Sequence, residues 1–322
     1  MRRPAAAALL ALLVGLGCAS PAPPAPPPPA AFYWEAEGSG GARLFLLGSV
    51  HVGDGRELAP PLQIELDWAR AEELVVELDL HALPDLERLE AVERYGLLPP
   101  AVALRDVVSA APGDARVPYR RARRYPLDAA SRMRPWLVAQ LVAQLELEAA
   151  GYDLENGVDA WFLRRAAAEG KPVVPLESLD EQMAGFGALP PAVEDALLWA
   201  ILERTAFRET TREILEAWER GDEARLLELL LGSRKDPQLA AFHQAVFLER
   251  NRRMAARLAG LASDGRARFV VVGTGHLIGP ESLPELLAAY GFDVERHADA
   301  FVRSVPPAPR LPDPGEAPRE PW

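Results

Sequence analysis

The chain has 322 residues, with 35 lysines and arginines against 47 aspartates and glutamates, and a formal charge of −12 at pH 7. This acidity argues against a nucleic acid as the partner, because phosphate backbones are bound by clustered basic side chains. Cys18 is the only cysteine in the sequence, which excludes an intramolecular disulfide.

The first segment has the features of an export signal. A basic start precedes the apolar run 5–17, which is too short to cross a bilayer as a helix because a span needs about 20 residues. We therefore predict a signal peptide over residues 1–17. Cys18 follows it directly, which favours lipidation and a cell-envelope lipoprotein facing the periplasm or the cell surface. The alternative is ordinary cleavage near Ala19 or Ala22, which leaves a soluble periplasmic or secreted protein.

Proline-rich segments flank the predicted folded domain. Residues 18–31 predict a semi-rigid, extended spacer, and 305–322 a disordered tail. The domain between them, 32–304, is long but within the range of one α/β core with a helical insertion. A locally basic stretch at 116–134 is typical of a solvated loop, and a site for an acidic peptide or lipid headgroup is the alternative.

Short β-prone runs in this domain predict core strands, and longer apolar periodicities predict helices. The predicted strands are 43–47, 74–78, 172–176 and 268–272, with a less regular edge strand at 292–302. The predicted helices are 61–72, 135–150, 157–169, 191–207, 209–220, 223–231 and 238–261. The helix between the first two strands makes a βαβ unit, which favours parallel pairing. The predicted fold class is therefore α/β (α+β), a central, mostly parallel sheet flanked by helices, with a large helical insertion.

The first and last core strands end in the same pattern, Gly-x-x-His. Gly48 precedes His51, and Gly273 precedes His276. Each glycine is interpreted as the point where the backbone turns sharply out of the sheet. Because ligands of open α/β sheets bind at the carboxyl edge of the strands, the two histidines are expected to meet at one site. The remaining histidines lack this setting, and a structural role is predicted for them: His81, His243 and His297.

Carboxylates follow the other two core strands, Glu77 after the second and Glu177 after the third. Two imidazoles with one or two carboxylates suit a divalent ion such as Zn²⁺, Mn²⁺ or Co²⁺. Such an ion lowers the pKa of bound water toward about 7, and a free carboxylate can act as general base. The alternative for both glutamates is a bond to a loop amide or an arginine; either role requires a partner. Two further candidates also have a plain structural interpretation: Asp159 as part of a helix start, and Arg250 as a partner for a carboxylate.

Several motifs, taken in order along the chain, resemble those of the TraB/PrgY/GumN family. They are the two Gly-x-x-His motifs, Val-Val-Glu-Leu-Asp at 75–79, Gly-Val-Asp at 157–159, the run 171–178 with Gln182 following, and Arg-Asn-Arg-Arg-Met at 250–254. The resemblance covers about residues 32–303. Animal Tiki proteins, which are membrane-anchored metalloproteases, are similar in the paired motifs and the glutamate. The family is grouped with the erythromycin esterase and ChaN-like fold, a sheet flanked by helices.

The resemblance implies a metal-dependent peptidase in which His51 and His276, with Glu77, hold the metal site. From their positions at the strand ends, Glu77 and Glu177 are the candidate catalytic carboxylates. It also implies that Arg250 binds a substrate carboxylate or a developing oxyanion. The expected partner is a peptide or protein substrate. Two other hypotheses stay open: a binding module that sequesters a peptide or ligand without turnover, and a metal-free hydrolase in which His51 or His276 acts as general base on an ester.

Overall fold

A computed structural model of the protein describes residues 32–79, 82–109, 130–202, 204–231, 237–297 and 303–305. The predicted signal peptide, Cys18, the spacer, His81, most of the basic stretch 116–134 and the tail from 306 onward lie outside these residues.

The centre of the fold is a six-stranded mixed sheet. Its strands are β1 (Tyr33–Glu37), β2 (Arg43–Ser49), β4 (Glu73–Val76), β5 (Val173–Pro175), β6 (Ala267–Gly273) and β7 (Asp293–Arg296). Their order across the sheet is β5-β4-β6-β2-β1-β7. The four strands from β5 to β2 are parallel, and β1 and β7 add antiparallel partners at one side. A separate pair joins β3 (Glu57–Ala59) to β8 (Arg303–Val305). The predicted α/β class with a mostly parallel sheet is confirmed.

Helices cover the sheet and build the insertion. Their bounds are Leu62–Arg70, Asp85–Ala91, Leu104–Val107, Pro135–Glu148, Val158–Glu169, Leu179–Gly187, Pro191–Leu202, Arg204–Arg220, Glu223–Leu231, Pro237–His243, Glu249–Leu261 and Leu283–Ala289. The local sequence explains several ends. Ser178 caps one helix through a reciprocal pair of bonds with Glu181, and Gly170 ends another in the left-handed conformation, at φ 68°.

The main core lies around the parallel strands β2, β4 and β6, which are buried on both faces. Phe45, Leu46, Val75, Phe269 and Val270 are all fully buried there. This is the environment that near-continuous apolar runs indicate in parallel sheets. Two smaller apolar clusters lie among the helices of the insertion. Among the described residues no single helix meets the length and hydropathy of a membrane span; the pair Leu179–Gly187 and Pro191–Leu202, bent by 98°, meets them only when joined.

Several predicted elements are corrected. The strands β2 and β4 are parallel, but β6 lies between them, so the βαβ unit does not pair its own strands. The predicted break near 208 is wrong, because one helix runs through it as Arg204–Arg220. The predicted helix 238–261 contains a π-helical turn, Gln244–Leu248. The predicted edge strand is shorter, as β7, and 298–302 lie outside the described residues.

Candidate functional site

Four neighbouring parallel strands deliver the four predicted side chains to one edge of the sheet. In spatial order, β5 leads to Glu177, β4 to Glu77, β6 to His276 and β2 to His51. Backbone pairing continues past the last strand residues of β4 and β5, since the amide of Glu177 donates to the carbonyl of Glu77 over 2.9 Å. The carboxyl ends therefore finish level with one another, as the strand pattern indicates.

Glu77 is the buried carboxylate at the middle of this edge. Its Oε1 accepts the amide N–H of Gly273 at 2.6 Å, and its Oε2 accepts from Nη2 of Arg250 at 2.5 Å. Nε2 of His276 lies 3.6 Å from Oε1. Burial alone raises the pKa of Glu77, but the nearby His276, Arg250 and His51 and the Gly273 amide outweigh it and hold that pKa well below its ordinary value. Glu77 is therefore ionised at neutral pH.

His276 is held by its other ring nitrogen. Nδ1 lies 2.6 Å from Oδ1 of Asn251, and Nδ2 of Asn251 donates to the carbonyl of Glu281 at 2.7 Å. This second bond fixes which end of the amide faces the ring, so Nδ1 of His276 carries the proton and donates it. Burial lowers the pKa of His276 to about 4. The ring is thus neutral, with the lone pair of Nε2 on the side of Glu77.

His51 forms the solvent side of the same site. Its Nδ1 donates to Oδ2 of Asp159 at 2.9 Å, and the hydroxyl of Ser49 donates to the other oxygen of that carboxylate at 2.7 Å. The charge of Asp159 raises the pKa of His51 to about 9, despite an opposing desolvation effect. The side chain of His51 is 60% exposed, whereas that of His276 is 4% exposed. One imidazole therefore faces solvent and the other is enclosed by protein.

The motif glycines provide space, not the sharp turn that the sequence predicted. Gly273 has φ −53°, which other residues adopt readily. A Cβ atom there would lie 3.2 Å from both Oε1 of Glu77 and Nε2 of His51. A Cβ on Gly48 would lie 2.8 Å from Oγ1 of Thr274. Because Oε1 of Glu77 and Nε2 of His51 both lie 3.2 Å from the same position beside Gly273, these two side chains are near one another.

Arg250 and Glu177 form a buried ion-pair network behind Glu77. Nε of Arg250 donates to Oε2 of Glu177 at 2.7 Å, and Nη1 to the carbonyl of Val246 at 3.4 Å. Glu177 also accepts from Nη2 of Arg253 at 3.2 Å. Arg250 thus directs its donors to protein groups, which is the alternative that the sequence left open for it. The network holds the Glu77 carboxylate through Oε2, whereas His276 lies near Oε1.

The orienting residues were missed by sequence reasoning. The helix start predicted for Asp159 is confirmed, since it lies in the first turn of Val158–Glu169, but the sequence does not indicate its bond to His51 or any role for Ser49 and Asn251. Their signals were present: Asp159 lies in the Gly-Val-Asp motif, Ser49 lies between Gly48 and His51, and Asn251 adjoins Arg250. Only the tertiary contact reveals that each one serves a histidine.

The donors fit a divalent ion in type and orientation. Both imidazoles bind an oxygen through Nδ1 and leave Nε2 toward the site, as metal-ligating histidines usually do. In spacing, no group of three or more His, Cys, Asp or Glu side chains among the described residues is arranged to hold a metal ion. The residues therefore fit the ion by the chemistry of their donors and not by their spacing, with His276 and Glu77 as the closest pair.

Comparison with known proteins places the chain in a family. Residues 32–296 match the model of the TraB/PrgY/gumN family, so the chain belongs to that family. No curated protein and no solved structure matches the chain.

Proposed function

We propose that the protein is a metal-dependent hydrolase, with a peptide as its substrate and His51, Glu77 and His276 as its active centre. One observation carries this proposal: two histidines from equivalent strand ends each bind an oxygen through Nδ1 and direct Nε2 toward the region of one ionised carboxylate. Neutral imidazoles and a carboxylate are the ligands that catalytic zinc sites use.

The position of each residue in the site indicates its role. We infer that His276 and Glu77 form the buried half of the ion site and that His51 completes it from the solvent side, where substrate enters. Asn251 and Asp159 orient the two rings, while Arg250 and Glu177 hold Glu77. A divalent ion such as Zn²⁺, Mn²⁺ or Co²⁺, when bound, would lower the pKa of water and polarise the substrate carbonyl.

The peptide substrate and the location outside the cytoplasm are inferences from the sequence. The similarity to the Tiki metalloproteases favours a peptide bond over an ester. The apolar run ending at Cys18 supports an exported lipoprotein. If Cys18 is lipidated, Cys18→Ser should move the protein from the membrane fraction to the soluble fraction without changing its unfolding temperature. A wild-type protein already in the soluble fraction would argue against the anchor.

A metal-free hydrolase is the second candidate, and the His51–Asp159 pair favours it. A histidine whose Nδ1 is held by a carboxylate and whose Nε2 faces the site is also the arrangement of a general acid or base. In that mechanism His51 would exchange a proton with water or the leaving group, and His276 would only bind substrate.

Hydrolysis of a peptide mixture by the full chain separates these candidates. The protein is stripped with a chelator, then supplied in turn with Zn²⁺, Mn²⁺ or Co²⁺, and cleavage is followed by mass spectrometry. We expect no cleavage in the stripped protein, recovery with at least one ion, and loss with His276→Ala. Cleavage that survives the chelator would favour the metal-free mechanism. Tight peptide binding with no cleavage under any condition would favour a sequestering module.

A further inference from the structure

Glu281 has an unusual backbone conformation close to the site. Among the described residues it is the one non-glycine residue with positive φ, at 53°. It lies in the loop between the turn Thr274–His276 and the helix Leu283–Ala289. Positive φ is unfavourable for a residue with a large side chain, and such a backbone conformation persists only where surrounding contacts hold it in place.

Contacts hold Glu281 through all three of its polar groups. Its amide N–H donates to Oε2 of Glu285 at 2.9 Å, in the first turn of the next helix. Its carboxylate accepts from Nε and Nη2 of Arg252 at 2.6 and 2.8 Å. Its carbonyl accepts from Nδ2 of Asn251 at 2.7 Å. The amide and carboxylate bonds hold the residue in place, and the carbonyl bond connects it to the site.

The carbonyl of Glu281 determines which way the amide of Asn251 points. Asn251 is 1% exposed, so its amide depends on protein partners. With an acceptor at Nδ2, Oδ1 must face Nδ1 of His276. Without that acceptor the amide could rotate by half a turn and offer N–H to the ring. His276 would then carry its proton on Nε2, which points toward Glu77.

We propose that Glu281 is a positioning residue: its left-handed backbone presents a carbonyl to Asn251, and Asn251 fixes the tautomer that leaves the Nε2 lone pair of His276 facing the site. The tautomer follows from these contacts alone. Its value for catalysis rests on the proposed hydrolase function, because Nδ1 is bonded to Asn251 and the Nε2 lone pair is what remains to bind an ion.

Two substitutions at Glu281 separate the effect of its backbone conformation from the effect of its side chain. Glu281→Gly and Glu281→Val both remove the carboxylate and its ion pair with Arg252. Glycine adopts positive φ without cost, so the carbonyl should stay in place. Valine is β-branched and strongly disfavours that conformation, so the carbonyl should move away from Asn251. Arg252→Ala removes the ion pair while keeping Glu281.

The test is ¹⁵N NMR of the metal-free full chain with labelled histidine, which reports the protonated ring nitrogen of His276 directly. We expect the Nδ1–H form in the wild type, Arg252→Ala and Glu281→Gly, and a shift toward Nε2–H in Glu281→Val. In the hydrolysis assay kcat of Glu281→Val should fall about 10–100-fold with KM little changed, as for other groups that orient metal ligands. Glu281→Ala gives the same comparison, with a smaller shift, should the valine variant not fold.

An unchanged His276 tautomer in folded Glu281→Val and Glu281→Ala would overturn the proposal. So would an equal shift in Glu281→Gly, since that would assign the effect to the lost carboxylate. Failure of the proposed function is distinguishable: wild-type protein with the Nδ1–H form and no hydrolysis under any condition would contradict the hydrolase and leave the tautomer relationship intact.

Discussion

Arg250 donates to Oε2 of Glu77 over 2.5 Å, which leaves Oε1 of that carboxylate to the Gly273 amide and the His276 ring. Each oxygen of Glu77 thus has its own direction, one toward a permanent positive charge and one toward the histidines. The same arginine also pairs with Glu177, so one guanidinium bridges two buried carboxylates, and Arg253 brings a second positive charge to Glu177.

Removing Arg250 should therefore destabilise the protein. Arg250→Met leaves Glu77 without its arginine and Glu177 with Arg253 alone, and breaking a buried pair in this way costs about 3–5 kcal/mol. Urea denaturation measures the loss, and adding Glu177→Gln should recover part of it. Arg225→Met is the matched control, since Arg225 pairs with Glu213 and Glu228 on the surface, and we expect little change. A loss in Arg250→Met no larger than in the control would contradict the network.

Gly273→Ala should inactivate the site while keeping the fold. The new methyl group would lie 3.2 Å from both Glu77 and His51, so it should push them apart. We expect a loss of activity of about tenfold or more and a destabilisation of about 1–3 kcal/mol, as for overpacking elsewhere. Gly260→Ala is the control, because nothing lies within 4 Å of its Cβ position. Activity of Gly273→Ala equal to that of this control would show that the space is not needed.

The stability of the metal-free protein should depend on pH in two windows. The pKa of His276 is lowered to about 4, so the unfolded chain binds the extra proton first and stability falls as pH drops from 6.5 toward 4. The pKa of His51 is raised to about 9, so its contribution is complete below pH 6.5 and is lost as pH rises through 9. Thermal unfolding at each pH checks both windows. His276→Gln should flatten the acid window alone; a slope there as steep as in the wild type would assign it to other groups.

Metal binding should release a proton from His51. Because the pKa of His51 is about 9, the ring is protonated at pH 7.5 and must lose that proton to coordinate an ion. Calorimetric titration with Zn²⁺ in buffers of different ionisation enthalpy measures the release. Asp159→Asn removes the charge that raises this pKa, so release at pH 7.5 should fall close to zero. Equal release from both proteins would mean that His51 does not bind the ion.

Much of the site's framework was predictable because a buried strand can be recognised from its own short apolar run. The runs before Gly48 and Gly273 predict buried parallel strands, and parallel strands necessarily bring their carboxyl ends to one edge. The position of β6 between β2 and β4 was not predictable, because that pairing joins segments far apart in the sequence. The antiparallel β1 also escaped prediction, although it lies next to β2 in the sequence and pairs with it as a hairpin.

The orienting contacts were beyond sequence reasoning for a different reason. Asp159 and Asn251 are ordinary helix residues by local pattern, and only side-chain direction shows that they reach His51 and His276. The glycine interpretation failed because a sequence does not distinguish a residue chosen for its φ angle from one chosen for the space beside it. The positive φ of Glu281 is unusual for a glutamate, and nothing in the local sequence indicates it.

The metal content of the purified full chain tests the central claim most directly. Inductively coupled plasma mass spectrometry after loading with Zn²⁺ should give about one ion per chain for the wild type and for His297→Gln. His297 is the control because it follows the edge strand β7 and lies beside Glu35. The measurement should give close to none for His51→Ala and His276→Ala. The same ion content in all four proteins would contradict the account, because these two histidines would then hold no metal.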